Sequence, residues 1–460
     1  MSVVSTFENI TFKILKLLII GITCFILIFN IFNYDQTNAY DYDLQYWIIQ
    51  GLPSQLPTPE QNPNYYHPPL PYLLPSIIDS ICDNYYQNDE EKICDFLWHK
   101  ISQVFQSIMF LSTIFLYSKI FNLLTQKKSE RNTFIFILLF ILPTVNFKTV
   151  SMVRGESYLA FFTVLLIYLI VRAIFLKKIN FQFFLYIGLI AGLTVLTKQT
   201  SIYVLFGLIP SIKYLFQKSN LSKINFLSFS VISLILGLIV GGWFYIYQYN
   251  NNGTLFMKSR PSAEFSFQNH PEGYYTNFDL GEVIDSPIKY HKAPKLLQII
   301  FLDTWGDYSG YYSWDKDRFE ETAYINNVKN NLSKQMIYSL FPTTLIIVGF
   351  ISLVLKYLGL LFKDSSDDEK IIKIIVSISI SSIIGYLYFI TIYPFQPDGS
   401  YNGGDILKAT YVLPVINLMS VSGSYLIHNI SKKYKNTSNV VLLFLFAYLV
   451  LSLQNMVTEI

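Results

Sequence analysis

The chain has 460 residues, of which 52% are hydrophobic and only 14% charged, with a formal net charge of +3 at pH 7. A soluble domain carries about 25% charged residues, so this composition excludes a water-soluble enzyme and sets much of the surface against lipid. The small, dispersed charge leaves no nucleic-acid footprint, and the 35 Tyr and 38 Phe suit interfacial belts where amphipathic rings rest at headgroup depth.

In chain order, apolar runs occupy residues 12–32, 101–124, 132–147, 157–176, 182–197, 200–216, 224–247, 335–362, 371–393, 407–427 and 438–456. Measured against about 20 residues per crossing, they predict an all-α polytopic membrane protein of about eleven transmembrane helices. The first run has no small-residue cleavage site and reads as a retained anchor, not a removed signal. The chain divides into an N-terminal membrane module (1–247), a second outer loop (248–334) and C-terminal membrane helices (335–460).

Charge assigns the sides. Lys13 and Lys16 precede or open the first run, and alternate connections carry Lys127, Lys128 and Arg131, then Arg172, Lys177 and Lys178, then Lys213, Lys218 and Lys223. Lys356, Lys363, Lys370 and Lys373, and finally Lys432, Lys433 and Lys435, continue the series. By the positive-inside rule these connections and the N-terminus are cytoplasmic. The opposite side receives two large loops, 33–100 and 248–334, rich in acidic and aromatic residues. Loops of that length are usually functional, so the work is expected on the outer face, most simply that of the plasma (inner) membrane.

The first outer loop opens with Tyr40-Asp41-Tyr42-Asp43-Leu44-Gln45. Two carboxylates just past a membrane helix can act as a general base or hold a divalent metal, or simply form a solvated acidic start. Tyr66-His67-Pro68-Pro69-Leu70 follows, and its paired prolines restrict the backbone ahead of a short interfacial helix over 70–81. Cys82 and Cys94 share this loop; in an oxidising compartment they can pair, and elsewhere they are two thiols.

Arg154-Gly155-Glu156 sets a cation and an acid at the start of a membrane helix, where charge is costly and usually functional. An arginine fork suits phosphate; an Arg154–Glu156 cap is the plainer reading. Lys198, in Leu196-Thr197-Lys198-Gln199-Thr200, is an anion contact or a snorkelling side chain. Lys408 opens another membrane helix in Lys408-Ala409-Thr410-Tyr411. In the second loop, Asp303-Thr304-Trp305-Gly306-Asp307-Tyr308 offers rings that stack on sugar faces and carboxylates that accept from hydroxyls, or an aromatic belt on the membrane.

Together these motifs resemble the GT-C superfamily of polyprenyl-phosphate-dependent glycosyltransferases, near its protein O-mannosyltransferase and aminoarabinose transferase branch. Tyr40-Asp41 with Asp43 resembles the family's catalytic acidic motif, and Tyr66-His67-Pro68-Pro69-Leu70 its His-Pro-Pro-Leu element. Glu156 stands where relatives often open the fourth helix with Asp, and Leu196-Thr197-Lys198 looks like their Leu-Thr-Lys segment. Gly241-Gly242-Trp243-Phe244-Tyr245 is similar to the end of the seventh helix, and Lys408-Ala409-Thr410-Tyr411 to a Lys-Ala-Arg-Tyr motif. The chain departs at Gln45, where many relatives have His, and at Thr410, where the motif has Arg.

The resemblance implies a GT-C-like bundle and an inverting transfer from a polyprenyl-phosphate sugar donor to a glycan, lipid or protein acceptor. Asp41, with Asp43 and Glu156, would be catalytic. Arg154, Lys198, Lys408 and His67 would hold the donor phosphate, and Trp305, Asp307 and Tyr411 the substrates. Some relatives use a divalent metal, so Asp43 and Glu156 are alternatively its ligands. The competing reading is a carrier or flippase for lipid-linked saccharides, which would place ionisable residues near the midplane and broken helices in symmetric positions.

Overall fold

The computed structural model describes residues 3–34, 42–52, 54–62, 64–85, 91–126, 129–253, 255, 264–287, 295–306, 322–360, 366–392, 408–434 and 436–457. Among them every regular element is helical. Eight helices are long and apolar enough to cross a membrane: Thr11–Asn33, Ile93–Thr125, Gly155–Leu176, Lys223–Asn252, Lys329–Leu360, Asp367–Thr391, Ala409–Lys433 and Thr437–Met456. Their outward faces carry large apolar side chains, such as Leu17 at 69% exposure and Ile239 at 66%, a surface that water would not tolerate over this extent and lipid favours. The chain is thus an all-helical, multi-pass membrane protein.

The expected count of about eleven meets this architecture at three places. The run 132–147 is two helices, α5 (Glu130–Ile141) and α6 (Thr144–Ser151), bent by 61° and counting as a ninth crossing if taken together. The cause is local. Pro143 has no N–H to give and its ring crowds the preceding turn, so α5 stops and the chain restarts at a new angle. The runs 182–197 and 200–216 become α8 (Phe181–Val195), only 15 residues, and α9 (Ser201–Lys218), 18 residues with Lys213 and Lys218 within it.

The first loop holds α2 (Tyr42–Gly51) and α3 (Leu70–Tyr85). Residues Cys82 and Cys94 form a disulfide with Cα atoms 5.5 Å apart, pinning the end of α3 to the start of α4 (Glu91–Thr125). The helix α7 (Gly155–Leu176) packs between α4, α8 and α9. In the second loop, Asn269 and His270 donate to the carbonyls of Thr391 and Ile390, at 2.8 Å each. The Leu296 N–H donates to the Tyr274 carbonyl at 2.9 Å. That segment is thereby docked on one end of the bundle, and it places the helix Leu296–Trp305 there.

One helix pair illustrates how the bundle closes without a hydrophobic force between helices. In lipid, association relies on close backbone packing across small residues. Gly188 and Gly192 on α8 face Gly237 and Gly241 on Lys223–Asn252, four residues apart on each side, and a Cβ at Gly241 would strike the Gly192 carbonyl oxygen. Backbone cannot yield as a side chain can. Gly241→Leu is therefore expected to lower stability by about 1–3 kcal/mol, seen as a lower melting midpoint in detergent; an unchanged midpoint would show that the two helices have room to separate.

Candidate functional site

The site begins where α6 gives way to α7. Met152 and Arg154 are extended, so the helix is interrupted as the chain crosses from α6 to α7. Two glutamines on α4 hold this crossing. Gln103 donates to the Ser151 carbonyl and Gln106 to that of Met152, both at 2.8 Å. The crossing ends at Arg154, which is 3% exposed, and Glu156 follows in the first turn of α7 at 2%.

A buried carboxylate needs a counter-charge. Lys198 donates to Glu156, and the Arg154 guanidinium lies 3.9 Å from the same oxygen. Glycine at 155 lets the Leu-Thr-Lys segment come close, since a Cβ there would strike the Thr197 carbonyl oxygen. The Leu70 N–H donates to the Leu196 carbonyl at 3.2 Å, and Gln199 donates to that of Tyr66 at 3.1 Å. These bonds tie the His-Pro-Pro-Leu segment to the segment bearing Lys198. His67 Nδ1 lies 3.1 Å from the Tyr72 hydroxyl, and the two rings are parallel within 3°.

The fourth wall comes from the C-terminal helices. Lys198 stands over the Tyr411 ring at 4.0 Å, and Tyr411 lies in the short helix Ala409–Val412. Asp303, fully buried, accepts from the Ala409 N–H at 2.5 Å. The Lys408 N–H donates to the Tyr386 hydroxyl at 3.3 Å, and Thr410 meets Thr149 at 3.3 Å. Burial, reinforced by the charges of Arg154 and Lys408 and opposed by Glu156, pulls the Lys198 amine down to about 8.

These residues enclose a narrow, partly open cleft of about 20 Å³ lined by Gln45, His67, Pro68, Tyr72, Arg154, Gly155, Glu156, Thr197, Lys198 and Tyr411. Five residues singled out in the sequence thus share one cavity: His67, Arg154, Glu156, Lys198 and Tyr411. Lys408 is buried, and its charge bears on Lys198. Trp305 is not part of the lining; it is buried with its ring 6.0 Å from that of Tyr448, and its carbonyl accepts from Gln335. Asp41 and Asp307 lie outside the described residues, as does the Asp43 side chain, although the Asp43 backbone falls in the first turn of α2.

Sequence reasoning passed over Gln103, Gln106 and Tyr72. A pair of glutamines three residues apart in an apolar span is itself a signal, since polar groups there are costly. Among the described residues no three His, Cys, Asp or Glu side chains are grouped to hold a metal, and Glu156 is already engaged by two cations. The described donor set therefore does not fit a divalent ion. Among the described residues the cations Arg154, Lys198 and Lys408 outnumber the acids Glu156 and Asp303, a balance that suits an anion.

No protein-family model matches this chain, and no curated protein matches it.

The ion pair has a measurable signature. Lys198→Met leaves Glu156 buried with only the longer Arg154 contact, and is expected to cost about 3 kcal/mol. Adding Glu156→Gln should recover part of that loss, giving a coupling energy above about 1 kcal/mol in a double-mutant cycle. Additive losses, followed by thermal unfolding in detergent, would mean that the two side chains do not interact.

Proposed function

We propose that the chain is an inverting membrane glycosyltransferase of GT-C type, moving a sugar from a polyprenyl-phosphate donor to an acceptor on the extracytoplasmic face. The observation that carries the reading is the gathering of Arg154, Lys198, His67 and Tyr411 in one cleft at the end of α7, with the charge of buried Lys408 bearing on Lys198. Fixed cations in water-poor surroundings are suited to a leaving phosphate. The acid-bearing segment 41–43 adjoins Gln45, which lines the same cleft.

In this reading the reaction is a single displacement. Asp41 takes the proton of an acceptor hydroxyl, whose oxygen attacks the anomeric carbon. The carbon–oxygen bond to the polyprenyl phosphate breaks, and the cations stabilise the departing anion. Glu156 holds Arg154 and Lys198 in place; its own charge is already spent on them. Tyr411 and, in the second loop, Trp305 and Asp307 are the residues we assign to substrates, with Trp305 acting through the docked helix Leu296–Trp305 and not by contact in the cleft.

The finer topology belongs to the same proposal. Counting the bent pair and both α8 and α9 as crossings brings the eight spans to eleven (8 + 1 + 2). The cleft end is then extracytoplasmic in the plasma membrane, with the N-terminus inside. Supporting this, the Cys82–Cys94 disulfide suits an oxidising compartment, and Arg172, Lys177 and Lys178 sit at the far end of α7. The broken α5–α6 helix is a feature of carriers and favours the alternative of a flippase for lipid-linked saccharides. The break meets the cleft-side segments through Thr149 and Thr410, so it also serves an enzyme.

The test is transfer by the purified, reconstituted protein from a panel of polyprenyl-phosphate sugars. Asp41→Asn is expected to reduce turnover by about 10²–10⁴-fold with insertion unchanged; wild-type turnover would remove Asp41 as the base. Lys198 carries its charge below about pH 8 and loses it above, so transfer should decline as pH rises through that value. Lys198→Arg, which stays charged, should shift that decline upward, and an identical profile in both would sink the assignment of Lys198.

A further inference from the structure

The opposite end of the bundle holds a second cavity. It is an open groove of about 720 Å³ between the C-terminal parts of α4 and α7 and the start of Asp367–Thr391, lined in part by Lys119, Asn122, Gln126, Tyr168, Arg172 and Asp367. The one carboxylate among its described lining residues is paired, and the two that follow it are hydrogen-bonded. Asp367 receives Lys218 at 2.8 Å and Lys370 at 3.1 Å. Asp368 accepts from Gln126 at 3.2 Å, and Glu369 accepts from the Ser366 N–H at 2.9 Å in a capping box.

Lys119 and Arg172 are different. Both are exposed, and neither has a carboxylate within 4.0 Å among the described residues. Lys119 lies six residues before the end of α4, about 9 Å along the axis at 1.5 Å per residue, and Arg172 four residues before the end of α7, about 6 Å. Two cations are therefore held short of the helix ends, facing one groove. Two like charges facing one groove call for a counter-charge.

The neighbouring surface says what kind of anion carries it. Ile108, Leu111 and Phe115 are 57%, 42% and 58% exposed, and with Lys119 they follow one face of α4 at helical spacing. Lys119 stands over the Phe115 ring at 4.9 Å. An apolar stripe thus leads directly into the cationic groove, which a soluble anion would not use and an acyl chain would. Asn122 offers an amide whose oxygen is already taken by Thr133, leaving its N–H groups to donate.

We propose that this groove binds an anionic phospholipid, its phosphate held by Lys119 and Arg172 and an acyl chain laid along Ile108, Leu111 and Phe115. The site is separate from the cleft at the other end of α7 and does not rest on the function proposed for it. Basic pockets between membrane helices recognise such headgroups.

The experiment reconstitutes the full chain in vesicles of equimolar phosphatidylcholine and phosphatidylglycerol. The lipids retained after release are then measured by native mass spectrometry. The wild type is expected to retain phosphatidylglycerol over phosphatidylcholine by about tenfold, Lys119→Gln/Arg172→Gln to fall to the ratio of the vesicle, and Lys119→Arg/Arg172→Lys to keep the enrichment. Millimolar inorganic phosphate should not displace the retained lipid. Equal retention of both lipids by the wild type, undiminished enrichment in the glutamine variant, or displacement by phosphate alone would each overturn the proposal; the first needs no variant to fold.

Discussion

A carboxylate at the top of a membrane helix cannot remain both charged and alone, and Glu156 is where that constraint falls. Its partner Lys198 comes from the connection between α8 and α9, so the pair can form only if α7 and this connection meet. That meeting requires Gly155 to admit the Thr197 carbonyl. Once Lys198 is fixed, its amine lies on Tyr411 and its segment receives the Leu70 N–H. Three stretches far apart in sequence are drawn to one point by the need to satisfy one buried charge.

The membrane itself was legible in the sequence because hydropathy is local: 18 or more apolar residues in a row have few other fates. The short helix after the paired prolines was legible from its own apolar stretch, and it extends from Leu70 to Tyr85. Helix number is less so, because a run such as 182–197 states apolarity and not length, and α8 has only 15 residues. The break at Pro143 lies inside an apolar run that hydropathy reads as continuous.

For the cleft, residue type was informative and partnership was not. Arg154, Glu156 and Lys198 stand out as charges at the ends of apolar runs, and the fold gathers them. Asp303 and Trp305 stood together in one aromatic, acidic stretch, yet one supports Ala409 across 106 residues of sequence while the other fills the core beside Tyr448. Nothing in local composition separates those fates, since each depends on which side of a ten-residue helix faces the bundle. The aromatic richness that suggests sugar stacking serves packing as readily.

The extended crossing from Met152 to Arg154 has one more effect. Because α7 starts afresh at Gly155 and no side chain caps it, the cleft receives the positive end of a 22-residue macrodipole, equivalent to roughly half an elementary charge. Unlike an amine, that partial charge has no proton to lose. The cleft therefore keeps a positive potential even in alkaline conditions that discharge Lys198, and a continuous helix through residues 144–176 would have spread the same dipole past the site instead of ending it there.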